Sequence, residues 1–256
     1  MASIGSPPNP RFRTRRATPA DTSAIVNIHY AAFNPGVWNR LIYPDGGSES
    51  ARANFAWSLF ESPENTADPS VEIVIVIAEL IPQQEGQDPE IVAFAKWKVI
   101  KEPLPKEKWD VTERGLTNEE LGEGSNAAVF NRLFGGLHEL RKKLMKGDPA
   151  LHLEFLASHP DHQRTGAGSA LLEWGAELAD REGKSAWLES TPPGYNLYKR
   201  FGFEDVDVQD LPVTELWGIV QQQGEDWGAN SAVALAGELP KGHFRTVFMR
   251  RLPQKA

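Results

Sequence analysis

The chain has 256 residues, and its 27 Lys and Arg against 35 Asp and Glu give a net charge of −8. An acidic chain is a poor candidate for sequence-independent nucleic-acid binding, because clustered positive charge supplies most of that affinity. Cysteine is absent, which excludes a disulfide framework, a thiolate zinc site and a cysteine nucleophile. Apolar residues make up 40% of the chain, which provides for a sizeable core and excludes a disordered protein.

The N-terminal segment MASIGSPPNPRFRTRR lacks the apolar stretch of a secretory signal. The longest apolar run, Ile73–Ala78, has the length of a strand and is too short to span a bilayer. We therefore expect a soluble, cytoplasmic protein with no membrane and no nucleic-acid partner. Residues 1–10 are rich in Ser, Gly and Pro and are predicted to form a disordered tail.

The first half of the chain predicts both strands and helices. A strand at Phe12–Arg16 precedes a helix that begins at Thr18, because Thr as N-cap and Pro at the first helical position are typical of a helix start. This helix is expected to end near Asn34, and a second helix is predicted at Glu49–Phe60. Two strands follow, the first a continuous apolar run and the second alternating: Val71–Leu80 and Ile91–Ile100.

The second half continues this mixed pattern. Asn118–Lys146 has apolar residues at helical spacing and predicts a helix, which Gly135-Gly136 could break. A strand at Leu151–Ala157 leads to a helix over 165–181 that Gly183 ends. The last predicted elements are a strand, a short helix and two strands: Ser185–Glu189, Gly194–Arg200, Phe203–Val208 and His243–Arg250. We predict one α/β domain over residues 11–253, with insertions at about 102–148 and 211–241.

A glycine-rich turn, Gln163–Ser169, lies between a strand and an amphipathic helix. Glycines at such a turn let the backbone approach an anion closely, and the free N–H groups of the helix start favour phosphate. Arg164 adds a fixed positive charge. Ser169-Ala170 after Gly168 does not fit a Walker loop, and the third spaced glycine of the dinucleotide fingerprint is missing. The turn therefore predicts a pyrophosphate site of another kind.

Two motifs resemble the Gcn5-related N-acetyltransferase (GNAT) superfamily. Gln163-x-x-Gly166-x-Gly168 matches its acyl-CoA signature, Gln/Arg-x-x-Gly-x-Gly/Ala, with Leu156-Ala-Ser-His-Pro160 in the expected place before it. A second family element, Leu-Tyr-x-x-x-Gly-Phe, is matched over residues 197–203, where Tyr198 follows Gln163 by 35 residues. Both motifs occur in the family order, so the resemblance covers residues 151–208 in detail.

The resemblance implies an α/β fold whose central mixed sheet is splayed between the strand at 151–157 and the strand at 185–189. Acyl-CoA would lie in that opening, with its pantetheine on strand backbone and its pyrophosphate on turn amides. The implied chemistry is direct transfer from acetyl-CoA to an amine-bearing acceptor in a ternary complex, without a metal. The residues implied to bind the cosubstrate are Leu156, Ala157, Gln163, Arg164, Thr165, Gly166, Ala167, Gly168, Ser169, Thr191 and Asn196.

One position departs from the family pattern. Many relatives have Asn seven residues before the Tyr, where this chain has Thr191. A threonine still provides one hydrogen bond, and Ser190 and Asn196 are nearby substitutes.

The resemblance also suggests an acid and a base. Tyr198 matches the general acid near the CoA sulfur, and the alternative is an aromatic packed in the core. For the base, Glu154 is the preferred candidate and His152 the second, because acids near these positions serve in some relatives. His152 and Glu154 are two residues apart on a strand, so they are expected to share a face with Leu156, while Phe155 faces the other way. The alternative for each is a partly buried polar group.

Other residues leave alternatives open. His159 and His162 are spaced like metal ligands, but a solvated loop is the favoured interpretation because further ligands are missing. Four tryptophans could wall an acceptor pocket or pack in the core: Trp38, Trp97, Trp217 and Trp227. Two alternative functions stand beside the N-acetyltransferase, which is expected to be a monomer or homodimer. One is an acyl-CoA-binding regulatory protein, and the other is an enzyme that uses a longer acyl-CoA or a hydroxyl acceptor.

Overall fold

The computed structural model describes residues 11–62, 68–82, 86 and 88–254, so the predicted tail at 1–10 lies outside the described residues. Within the described ranges, one mixed sheet has the strand order β1-β2-β3-β4-β5-β7-β6. β4 and β5 pair in parallel, whereas the other neighbours pair antiparallel. The strands are β1 Phe12–Arg16, β2 Val71–Leu80, β3 Glu90–Ile100, β4 Ala150–Ser158, β5 Ser185–Ser190, β6 Glu204–Leu211 and β7 Phe244–Arg251.

The helices surround this sheet. A 3-10 turn at Pro19–Asp21 precedes α1, and the Thr18 N–H donates to the Asp21 carboxylate at 2.7 Å, so the chain enters the helix where the sequence predicts. The short α2, α4 and α10 lie within segments without strong periodicity. The helices are α1 Thr22–Phe33, α2 Val37–Ile42, α3 Glu49–Phe60, α4 Lys106–Trp109, α5 Asn118–Leu121, α6 Ala127–Met145, α7 Ala167–Glu182, α8 Pro192–Arg200, α9 Val213–Trp217 and α10 Val233–Ala236.

The continuous helix predicted over Asn118–Lys146 is wrong, because the chain forms α5 and α6 with a break at 122–126. Gly122 has φ 110° and would place a Cβ 2.4 Å from the Ala51 backbone, so the break depends on a close tertiary contact. Gly135 and Gly136 lie inside α6 and do not interrupt it.

The sheet separates two helical layers. On one face, called the α7 face, α7 buries Trp97 and Leu171 completely. On the opposite face, called the α1 face, α1 and α3 pack against Ile75 and Phe94, and α6 contributes Met145 to a cluster with Trp187. Trp38, Trp217 and Trp227 pack in a further apolar cluster with Phe244. All four tryptophans therefore contribute to apolar packing.

β4 and β5 separate part-way along their length. Their pairing runs from Ala150 with Ser185 to Leu153 with Leu188 and ends there. β4 continues to Ser158, and its other edge remains paired with β3. We call the resulting opening the cleft. The predicted splayed mixed sheet is confirmed.

Candidate functional site

The glycine-rich turn leads directly into the start of α7, where the first N–H groups of a helix have no partner within the helix. Arg164 is exposed with φ 59° and Gly166 has φ 104°, which bends the chain sharply before the helix. The first helical bond is the Ala170 N–H to the Gly166 carbonyl at 3.0 Å. The N–H groups of Ala167, Gly168 and Ser169 precede that bond. They therefore form, with the positive helix end, a site suited to an anion.

This turn lies beside the end of β4 and the side of α8. A Cβ at Gly168 would lie 3.6 Å from Leu197 Cδ2 and 3.7 Å from Ser158 Oγ. Gln163 Nε2 donates to the Ser158 carbonyl at 3.4 Å, and Thr165 Oγ1 donates to the His162 carbonyl at 2.6 Å. The turn and the outer end of β4 are therefore brought together.

The remaining residues predicted to contact acyl-CoA lie at the end of β4 and around the start of α8. Leu156 and Ala157 pair with β3 but lie beyond the last β5 partner, so the β5-facing edge of β4 is open there. Thr191 precedes α8, and its side chain does not cap the helix. Ser190 Oγ donates to the Thr191 carbonyl at 2.9 Å, so this hydroxyl is already engaged. Asn196 is exposed on α8.

Tyr198 is buried in α8 and packs within the α7-face core. A Cβ at Gly194 would lie 2.6 Å from the Tyr198 ring, so the ring is turned back over the first turn of the helix. Burial raises the pKa of Tyr198, and no charged group opposes it. The phenol is therefore protonated at neutral pH, as a proton donor must be.

A β-bulge changes which β4 side chains share a face. Lys96 pairs with Phe155 and the next β3 residue pairs with Leu153, so Glu154 is an extra residue on β4. Leu156 packs in the α7-face core and Phe155 in the α1-face cluster. The expectation that Leu156 shares a face with His152 while Phe155 faces away is therefore wrong, because strict alternation does not continue through a bulge.

Glu154 is one of the two predicted bases. Its side chain is 25% exposed and its carboxylate lies 3.1 Å from Lys96 Nζ. Burial would raise the pKa of Glu154, but Lys96, His152 and Lys98 outweigh burial and hold it below its ordinary value. A carboxylate held in its charged form by neighbouring cations is a weak proton acceptor.

His152, the other predicted base, is buried and bonded to a residue that the sequence did not indicate. His152 Nε2 lies 2.9 Å from Glu189 Oε2. The second carboxylate oxygen, Oε1, accepts from Arg141 Nε at 2.6 Å. Burial would raise the pKa of Glu189, but His152 and Arg141 lower it to about 2. Glu189 and Arg141 lie 37 and 11 residues from His152, and no local pattern links the three.

The remaining histidines of this segment lie in a loop. His159 Nδ1 is 3.6 Å from Asp161 and its side chain is 38% exposed, while His162 lies 3.6 Å from Glu90. No group of three or more metal-binding side chains is found in the part of the chain that the structure describes. In the same part, no helix is long and apolar enough to cross a membrane.

A sheet that splays beside a glycine-rich turn is the arrangement that the resemblance to the GNAT superfamily implies. A family model described as the acetyltransferase (GNAT) domain matches residues 130–205. This match confirms the resemblance seen in the two motifs.

Solved structures agree on the fold. Arylalkylamine N-acetyltransferase 2 from Aedes aegypti is 15% identical with a TM-score of 0.57, and the match covers 95% of this chain and 99% of that one. The mosquito protein named arylalkylamine N-acetyltransferase like 5b is 14% identical with a TM-score of 0.53, and the match covers 94% of this chain and 99% of that one. Histone acetyltransferase HPA2 and related acetyltransferase from Corynebacterium glutamicum is 20% identical with a TM-score of 0.51, covering 96% and 98%.

Proposed function

We propose that the protein transfers an acetyl group from acetyl-CoA to an amine, by direct reaction between two bound substrates. The observation that carries the proposal is the cleft between β4 and β5, which ends beside the turn at 163–169. The turn amides and Arg164 would hold the pyrophosphate, and the open edge of β4 at Leu156 and Ala157 would pair with the pantetheine. Thr191 and Asn196 would contact it from the α8 side.

Acetyl-CoA supplies an activated acetyl thioester. Tyr198 would donate its proton to the leaving sulfur, and its raised pKa keeps that proton available at neutral pH. Glu154 or His152 would accept a proton from the acceptor ammonium, since only a neutral amine attacks a carbonyl carbon. Both lie on β4, next to the point where it separates from β5.

The acceptor is proposed to be a small amine with an aromatic or apolar body. Phe33, Phe55 and Phe155 are half-buried and gather on the α1 face around His29. Phe155 adjoins Glu154 in the chain, so an apolar wall borders a carboxylate. The names of the two mosquito enzymes agree with this chemistry. A cytoplasmic location and a monomeric or homodimeric state remain predictions.

The proposal is tested by measuring thiol release from acetyl-CoA with arylalkylamines, aliphatic polyamines and peptides as acceptors. Arylalkylamines should react best, and mass spectrometry should show the N-acetyl product. Tyr198→Phe should lower kcat by about 10² or more while leaving acetyl-CoA affinity nearly unchanged, because general acids contribute at least this much. Lys199→Gln, an exposed neighbour on α8, is the control. Binding of acetyl-CoA without turnover on any amine would favour the regulatory alternative.

A further inference from the structure

Glu189 of β5 is a buried carboxylate, and each of its oxygens accepts a hydrogen bond from a nitrogen of another element. Oε1 accepts from Arg141 of α6 at 2.6 Å and Oε2 from His152 of β4 at 2.9 Å. The side chains of Glu189 and His152 are only 8% and 4% exposed. An ionised carboxylate has no proton to donate, so His152 Nε2 must carry the hydrogen of this bond.

This assignment determines the free nitrogen of His152. With Nε2 as donor, a neutral imidazole keeps its lone pair on Nδ1. In the described part of the chain, Nδ1 has no hydrogen-bond partner. His152 pairs with Trp187 one position before the last β4–β5 pair, so it lies at the closed end of the cleft.

We propose that Glu189 and Arg141 are positioning residues that hold His152 as the base of the transfer reaction, an inference that rests on the proposed function. Nδ1 of His152 accepts one proton from the acceptor ammonium. The amine nitrogen then bonds to the acetyl carbon while the carbon–sulfur bond breaks, and the sulfur takes the Tyr198 proton. The acetylated nitrogen still carries one surplus proton and releases it to solvent. The imidazolium also returns its proton to solvent and the phenolate recovers one, so one proton is released in each turnover.

Arg141 has a distinct task in this arrangement. A carboxylate beside an imidazole stabilises the imidazolium form. Arg141 compensates the Glu189 charge and so moderates that effect. α6 lies in the predicted insertion at 102–148, so this insertion would contribute Arg141 to the group around His152.

The other charges around the three residues favour His152 over Glu154. Lys96 and Lys98 of β3 act on Glu154, while Glu154 and Glu113 act on Arg141. Neighbouring cations thus keep Glu154 ionised. His152 is instead oriented by Glu189, whose negative charge is compensated by Arg141.

The test uses the pH profile of kcat/KM for Glu189→Gln and Arg141→Gln. The acid limb of this profile is the fall of kcat/KM at low pH. Removing the Glu189 carboxylate destabilises the His152 imidazolium, so the acid limb should move to lower pH. Removing Arg141 leaves the carboxylate uncompensated, so the acid limb should move to higher pH. Each variant should also lose about tenfold or more in kcat, with KM for acetyl-CoA changed much less. His152→Gln should abolish the limb, whereas Glu154→Gln should retain it.

The control is Lys143→Gln, because Lys143 lies on the same helix as Arg141 and forms an exposed ion pair with Asp207 of β6. This variant should leave the acid limb of the pH profile unmoved. Acid limbs that stay in place in both test variants, or a limb lost in Glu154→Gln, would overturn the inference. If the variants do not fold, ¹⁵N NMR of the unaltered protein decides. The Nε2–H tautomer of His152 supports the inference and the Nδ1–H tautomer contradicts it. Absence of acetyl transfer in the unaltered protein would instead count against the proposed function.

Discussion

Gly168 lies where the turn at 163–169, the end of β4 and α8 meet. A Cβ at this position would make ordinary contacts, at 3.6 Å with Leu197 and 3.7 Å with Ser158. We therefore expect Gly168→Ala to fold and to bind acetyl-CoA. An indole at the same position would fill the space beside the turn and block approach of the pyrophosphate to the amides. Gly168→Trp should weaken acetyl-CoA binding roughly 100-fold, about 2.7 kcal/mol, in isothermal titration calorimetry.

Thermal unfolding of both Gly168 variants provides the control for folding. If Gly168→Trp folds and binds acetyl-CoA with unchanged affinity, the assignment of the turn as the pyrophosphate site is wrong.

Residues that share a local motif were predictable at this scale. Gln163, Gly166 and Gly168 carry the signature, and the geometry of the turn follows from short-range chain preferences. Glu189 and Arg141 were not predictable, because their contacts with His152 depend on the parallel pairing of β4 with β5 and on the packing of α6. A buried charge pair formed by distant segments has no periodicity to detect.

At the scale of elements, α6 contains two adjacent glycines with different surroundings. A Cβ at Gly135 would meet nothing within 4 Å, whereas a Cβ at Gly136 would lie 2.4 Å from Gln209 Nε2. Glycine in a helix interior costs roughly 0.5–1 kcal/mol relative to alanine. Gly135→Ala should therefore raise the free energy of unfolding by about this amount, measured by urea denaturation.

Gly136→Ala is the matched variant. The same gain in helix propensity is opposed by displacement of the Gln209 side chain, so the net change should be smaller than for Gly135→Ala. Equal stabilisation by both substitutions would show that the Gln209 contact is without energetic consequence.

The strands show what periodicity predicts and where it fails. Phe12–Arg16 and Val71–Leu80 were predicted with the bounds observed, and for the second strand the continuous apolar run is a local signal. The bulge at Glu154 contains no glycine or proline to signal it, and its presence depends on the facing strand. It therefore reversed the predicted face of Leu156 while leaving the strand itself correctly placed.

At the scale of the whole molecule, a buried neutral histidine makes stability depend on pH. His29 of α1 stacks on Phe55 with ring centroids 4.0 Å apart, and its Nδ1 has no hydrogen-bond partner in the described part of the chain. Burial, with a smaller contribution from Arg52, lowers the pKa of His29 to about 3. In the unfolded chain a histidine has a pKa near 6.5.

Between these two pKa values the unfolded state binds a proton at His29 and the folded state does not. The free energy of unfolding should therefore fall as pH falls through this window, by about 1.4 kcal/mol per pH unit at most. His29→Phe keeps an aromatic ring in the cluster and removes the titrating group. In this variant the free energy of unfolding should fall less steeply between pH 6.5 and 5, where carboxylates contribute little. The measurement is urea denaturation followed by tryptophan fluorescence. His159→Gln, at a partly exposed loop position, should keep the slope, and a slope retained in His29→Phe would mean that another group causes it.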